Sequence, residues 1–219
     1  IMGPNGTGKS TLSKVIMGDP NYKVLSGEIY FDDKKINDLT VDERARLGIF
    51  LGMQMPLEIE GVTNADFMRT AIHIKEQNDF KLMKFIREMN STCKKLKMDE
   101  EMIHRSINKG FSGGERKKNE ILQMYLLKPS MIMLDEIDSG LDVDSLKIVG
   151  ENVMDYYKEN EAGILLITHY QRLLDYIKPD FVHIMMDGKI IKSGDCSLVK
   201  EIEEKGYTKI KSEILGENS

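Results

Sequence analysis

The sequence predicts an α/β domain built on a mostly parallel sheet with helices on both faces, and two observations lead there. From residue 131 onward, short apolar runs bounded by turn residues alternate with amphipathic stretches of helix length, the pattern of parallel strands joined by crossover helices. At the other end, Gly3-Pro4-Asn5-Gly6-Thr7-Gly8-Lys9-Ser10 is the kind of loop that joins a buried strand to a helix, so Ile1 and Met2 are expected to be the end of a core strand.

In chain order, residues 27–31 and 34–36 flank Asp32-Asp33 as a hairpin, 40–47 read as a short charged helix, and 48–51 as a buried strand. Residues 64–74 and 80–96 are helical by spacing. In the second of these Phe80, Met83, Ile86 and Met89 are expected on the buried face. With no convincing strand between about 62 and 127, this stretch is read as a helical subdomain inserted in the P-loop core, and 1–219 as a single domain. A strand at 131–134 then leads to a helix at 143–157 with Val143, Leu146, Val149, Val153 and Tyr156 on one face. A strand at 164–167, a short helix from Tyr170, strands at 181–186 and 189–192 around Asp187-Gly188, and a helix at 198–205 complete the chain.

Composition narrows the function. The 219 residues hold 31 Lys plus Arg against 36 Asp plus Glu, a formal charge of -5, with a pI near 5.5, which lacks the basic footprint of a nucleic-acid binder. The longest apolar run is four residues, far below the ~20 that cross a bilayer, so no direct membrane insertion is expected. Cys93 and Cys196, the two cysteines, have neither a disulfide framework nor zinc-ligand spacing around them.

Residues 3–10 fit the P-loop pattern, in which backbone N–H groups wrap phosphate oxygens and the helix start adds its positive dipole end. Lys9 is then placed on the outer phosphates and Ser10 on Mg²⁺. The apolar run 131–134 ends in Asp135-Glu136. An acid there holds the Mg²⁺ shell in P-loop proteins, the role read for Asp135, and Glu136, one residue on, is placed to take a proton from an attacking water. Ser112 and Glu115 have the spacing of a capping box. Arg116, Lys117 and Lys118 crowd the first turns that follow, against the helix dipole, which suggests a second phosphate-facing element.

These segments, with Gln54 after the strand 48–51, the loop Ser139-Gly140-Leu141-Asp142 and Ile167-Thr168-His169, resemble the ATP-binding cassette ATPases in order and spacing over essentially the whole chain: Ser112 lies 23 residues before Asp135, and His169 lies 33 after Glu136. Within that family Gly110-Phe111-Ser112-Gly113-Gly114-Glu115-Arg116-Lys117-Lys118-Asn119-Glu120 departs from the usual transporter signature. It is similar to the SufC ATPases of the Suf iron–sulfur cluster assembly system, as are residues 54–62, 134–142, 168–174 and 188–195.

The resemblance implies an ATPase with ATP and Mg²⁺ as cofactors. Gly3, Asn5, Gly6, Gly8, Lys9, Ser10 and Thr11 would bind the phosphates; Ser10, Gln54 and Asp135 the metal, Asp135 through water; Lys9, Gln54, Glu136 and His169 would serve catalysis. Ser112, Gly113, Gly114 and Glu115, with Asp142, would complete the ATP site of a second copy in an ATP-dependent homodimer. SufB and SufD scaffold proteins are the implied partners, and the implied location is cytoplasmic in a bacterium or the plastid stroma in a eukaryote. The family's N-terminal strands, including the segment that stacks on adenine, are expected to be missing from this sequence. A membrane-transporter subunit and a nucleotide-gated clamp are the competing readings.

Overall fold

The computed structural model describes residues 1–76, 79–168 and 171–215. Gly8 (φ 97°) starts α1 (Lys9–Met17) and Gly18 (φ 86°) ends it, both in the left-handed conformation that costs glycine least. Strands β1 (Tyr30–Phe31) and β2 (Lys34–Lys35) make the expected hairpin. It is shorter than the pattern suggested, and Asp32 and Asp33 both adopt positive φ, as a tight two-residue hairpin turn requires.

Helix α2 (Val41–Leu47) follows Thr40, whose backbone N–H donates to Glu43 at 2.8 Å. Its Arg44 is buried and donates to four carbonyls, those of Val15, Ile16, Asn37 and Leu39. One guanidinium thereby closes the C-terminal end of α1, and a Cβ at Gly18 would fall 2.8 Å from its Nε. Arg44→Met is therefore expected to lower unfolding free energy by about 3 kcal/mol, because several partly buried acceptors lose their donor together. Urea denaturation checks this; a shift in midpoint with unchanged slope is the expected result.

Beyond β3 (Ile49–Gly52) the chain forms β4 (Ile59–Thr63), α3 (Asn64–Glu76), α4 (Leu82–Lys95), a 3-10 turn at Glu100–His104, β5 (Ser106–Ile107) and α5 (Gly113–Leu127). Strand β5 corrects the expectation of no strand there: it pairs antiparallel with β4. Two residues show no alternation that sequence could reveal, and a register shift interrupts the ladder. The buried face of α4 is corrected at Met83 alone, since Met89 is buried and Phe80 and Ile86 pack partly buried against the core. Phe85, Met89, Thr92 and Cys93 are buried, whereas Met83 is 62% exposed, because steps of three drift off a helix face that repeats every 3.6 residues.

Strand β6 (Met131–Asp135), α6 (Val143–Glu159), β7 (Gly163–Ile167), α7 (Gln171–Leu174), β8 (Val182–Met186), β9 (Lys189–Gly194) and α8 (Ser197–Leu215) complete the order. The parallel sheet runs β3-β6-β7, with Ile49 opposite Met131 and Ile132 opposite Ile164. Met2 bridges in parallel to Ile184, and the Ile1 N-terminus donates to Leu166, so the expected strand stub is present, and the structure places it between β7 and β8. Of the predicted α6 face, Leu146, Val149, Val153 and Tyr156 are buried and Val143, at the first turn, is 65% exposed. Helix α8 runs past the expected end at 205 through a kink at Gly206 (φ 72°). The predicted helix start at Tyr170 lies outside the described residues.

One core cluster joins Met68, Phe85 and Leu96 of the middle stretch to Ile132, Leu134, Val149 and Val153. Cys93 sits in it, fully buried, and burial pushes its thiol pKa up to about 11, while Cys196 is exposed; neither is in a disulfide. Iodoacetamide at neutral pH is expected to label Cys196 alone in the native protein and both thiols after denaturation, counted by intact mass. No described helix is long and apolar enough to cross a membrane.

Candidate functional site

The glycine-rich loop packs closely against the backbone of the β8–β9 hairpin. The β8–β9 turn donates Gly188 N–H to the Thr7 carbonyl at 3.1 Å, and a Cβ on Gly3 would lie 2.2 Å from the Met185 carbonyl oxygen, so only glycine fits there. Inside the loop, Lys9 is 4% exposed and its Nζ donates to the carbonyls of Gly3 and Pro4, both at 2.8 Å. Burial pulls the Lys9 pKa down, opposed by the charges of Glu136 and Asp135. A cation held only by neutral acceptors is poised for an anion, to which its hydrogen bonds are roughly twice as strong.

Across the loop stands the end of β6. Ser10 Oγ donates to Asp135 Oδ1 at 3.0 Å, and burial raises the Asp135 carboxyl pKa against the pull of that hydrogen bond. The strand stops there because Glu136 turns to φ 48°, a left-handed conformation costing a side-chain-bearing residue about 1 kcal/mol or more. Its N–H donates to Ile167 of β7 at 2.9 Å, and its carboxylate accepts from Gln54 Nε2 at 2.5 Å. Asn5, Gly6, Gly8, Lys9, Ser10 and Thr11 on one side, with Gln54 and Glu136 on the other, line a cavity of about 350 Å³. Hydroxyl, carboxylate and amide oxygens make a donor set suited to a small hard cation such as magnesium.

A second cavity, of about 340 Å³, lies between β7 and β8 and includes Ile1, Leu166 and Val182 in its lining. Its lining is mainly apolar and, although Lys178, Asp180 and His183 border it, it holds no glycine-rich loop, so phosphate chemistry is assigned to the first.

Ser112, Gly113, Gly114, Glu115 and Asp142 are absent from the lining of the P-loop cavity. They gather instead at a second place. The Ser112–Glu115 capping box forms, with Ser112 N–H donating to Glu115 at 2.7 Å, and Asp142 caps α6 by accepting from Ser145 N–H at 2.7 Å. A Cβ on Gly113 would meet the Gly140 carbonyl at 3.3 Å, and one on Gly114 the Ser145 hydroxyl at 3.0 Å. Here the basic run is corrected in part: Lys117 is buried against Glu120 and the Met53 carbonyl, and Arg116 bonds Glu58 at 2.5 Å and the Phe111 carbonyl. Both cations serve internal contacts, a use that a charge count along the sequence cannot distinguish from anion binding.

His169 lies outside the described residues. Just before it, Thr168 Oγ1 donates to Asp138 Oδ2 at 2.6 Å, tying the end of β7 to the turn after Glu136. Asp138 and Thr168 were visible only as members of motifs. Nothing in their spacing announced a contact between residues thirty apart.

A family model described as "ABC transporter" matches residues 1–139, which span both the P-loop and Glu136. The chain belongs to the ABC transporter family of ATPases. Among similar proteins, Vegetative protein 296 of Bacillus subtilis is 54% identical over 216 residues, covering 98% of this cassette and 82% of that protein. A probable ATP-dependent transporter, ycf16, of Cyanophora paradoxa is 50% identical over 211 residues, covering 94% and 81%. In fold, the cassette is similar to a dimeric ATP-binding cassette solved in a post-hydrolysis state with ADP and Pi, with TM-score 0.76 at 21% identity over 89% of this chain and 83% of that one. The cassette is thus an ATP-binding, ATP-hydrolysing α/β domain, and its P-loop cavity gathers the predicted phosphate and metal residues except Gly3 and Asp135, which lie outside its lining, Asp135 being tied to it through Ser10.

Proposed function

We propose that this cassette powers iron–sulfur cluster assembly on a SufB–SufD scaffold, working as an ATP-dependent homodimer. The observation that carries the reading is the segment following Phe111. Within the segment that departs from a transporter signature, the polar residues Lys117, Asn119 and Glu120 are among those buried in α5. Asn119 bonds Asn64 at 2.8 Å and Asn108 at 3.0 Å, and Lys117 pairs with Glu120. That the departures are built into the packing supports a distinct subfamily. The chain's own two cysteines supply no cluster ligand set, which fits a protein that acts on a scaffold.

In this reading Lys9 and the loop N–H groups bind the phosphates of ATP, and the site residues fit Mg²⁺: Ser10 and Gln54 would hold it directly and Asp135 through water. Bound there, the metal neutralises charge on the phosphate oxygens. Gln54 and Glu136 line the cavity opposite the loop, where the γ-phosphate would lie. The Glu136 carboxylate takes the proton of the attacking water as the water oxygen bonds to the γ-phosphorus, and the bond from that phosphorus to the leaving oxygen of ADP breaks. Catalysis is then mostly positioning and charge stabilisation.

Affinity purification of the tagged full-length protein tests this. Two soluble partners that co-purify and raise phosphate release are expected. Recovery with a transmembrane protein instead would support a transporter subunit, the reading suggested by relatives such as a probable ABC transporter ATP-binding protein of Streptococcus pyogenes, 53% identical over 98% of the chain and 84% of that protein.

A further inference from the structure

We propose that Lys117 and Glu120 are positioning residues for hydrolysis: a buried ion pair on α5 that grips the backbone of Met53 and so fixes where Gln54 stands. Lys117 is 3% and Glu120 5% exposed. Glu120 Oε1 accepts from Met53 N–H at 2.7 Å, Lys117 Nζ donates to the Met53 carbonyl, and the two side chains close the ring at 3.1 Å. Both main-chain polar groups of one residue are thus bound by one pair. The next residue is Gln54, whose amide reaches Glu136.

Satisfying that backbone does not require an ion pair. The hydrogen bonds of Met53 N–H and C=O are only partly buried, where water could serve both groups. Burying two charges is costly before their attraction returns it, and apolar replacements of such pairs are often no less stable. A pair of this kind fits a demand for geometry better than one for stability. Burial raises the Glu120 carboxyl pKa, opposed by Lys117 and by the Met53 N–H, so the pair is balanced only while all three groups stay together.

The following residues of the same segment are fastened to the same part of the molecule. Arg116 bonds Glu58 at 2.5 Å, Asn108 donates to the Leu57 carbonyl at 2.8 Å, and Lys109 pairs with Glu60. Gln54 therefore moves with the start of α5. A displacement of Ser112–Glu115 in one direction is transmitted to the amide that touches Glu136, with Met53 as the joint.

This inference rests on the reading of Gln54 as a hydrolysis residue, and a double-mutant cycle separates the two. On the full-length protein with magnesium and ATP, Gln54→Ala and Lys117→Met are each expected to lower kcat about tenfold with KM within about twofold, as misplacement of a positioned group does. The double variant should also lie about tenfold below wild type. Where Lys117→Met fails to fold, Glu120→Gln, which keeps an oxygen for Met53 N–H, takes its place in the cycle with a smaller loss and the same non-additivity. Multiplicative losses, about a hundredfold together, would overturn the clamp and leave Gln54 in place; they are the expected result if Lys117 acts through its charge on the metal site rather than through Met53. An unaffected kcat in Gln54→Ala would overturn both.

Discussion

Lys9→Ala is expected to abolish measurable ATP binding. The ammonium is the one positive charge inside the loop, held by the Gly3 and Pro4 carbonyls at 2.8 Å, and its transfer to phosphate oxygens replaces two neutral acceptors by charged ones. Hydrogen bonds to charged groups contribute roughly 1.5–3 kcal/mol each, so losing two weakens ATP by about a hundredfold or more. The fold should survive, because Gly8 and Gly18 still delimit α1 and Arg44 still closes its end. Calorimetric titration of the full-length protein checks both statements, and equal affinities in wild type and variant would remove the P-loop assignment.

Glu136→Gln should separate binding from hydrolysis. The amide keeps the size of the side chain and an oxygen to accept from Gln54, so the cavity keeps its shape. It cannot take a proton from water, and general-base removal costs typically about 10²–10⁴-fold in rate. Retained ATP with phosphate release at least a hundredfold slower is expected. Wild-type turnover would transfer the role of base away from Glu136, with His169 as the next residue to replace.

Much of this site was legible because its chemistry is contiguous in sequence. Residues 3–10 and the pair Asp135-Glu136 each form a local motif, and local motifs survive translation into structure: Ser10 and Asp135, 125 positions apart, meet at 3.0 Å. The sheet was legible for the same reason, since β6 and β7 are unbroken apolar runs. Elements fixed by distant partners were not. Strand β5 exists because β4 lies beside it, and the face of α4 is set by what Phe85 and Cys93 pack against rather than by the three-residue recurrence of Met83. The basic run after Glu115 shows the limit most clearly. Charge against the helix dipole is a real tension, yet in the fold it is relieved by Glu58 and Glu120 rather than by a ligand.

The segregation of the predicted ATP residues into two places leads to the central claim. Lys9, Ser10, Gln54 and Glu136 share one cavity, while exposed Ser112 and Gly113 gather with the Gly140–Ser145 region away from it, which supports the proposal that the signature segment of a second copy completes the active site. Lys9→Ala and Ser112→Arg, the latter placing a bulky cation where, on this proposal, a small cap would face nucleotide, are each expected to be inactive alone. In a mixed dimer one site has lost both elements and the other keeps both. The deciding measurement is phosphate release by purified heterodimers of the two variants: a rate several-fold above the sum of the separate variants is the result expected of a site built from two chains, and a rate no greater than that sum would contradict it.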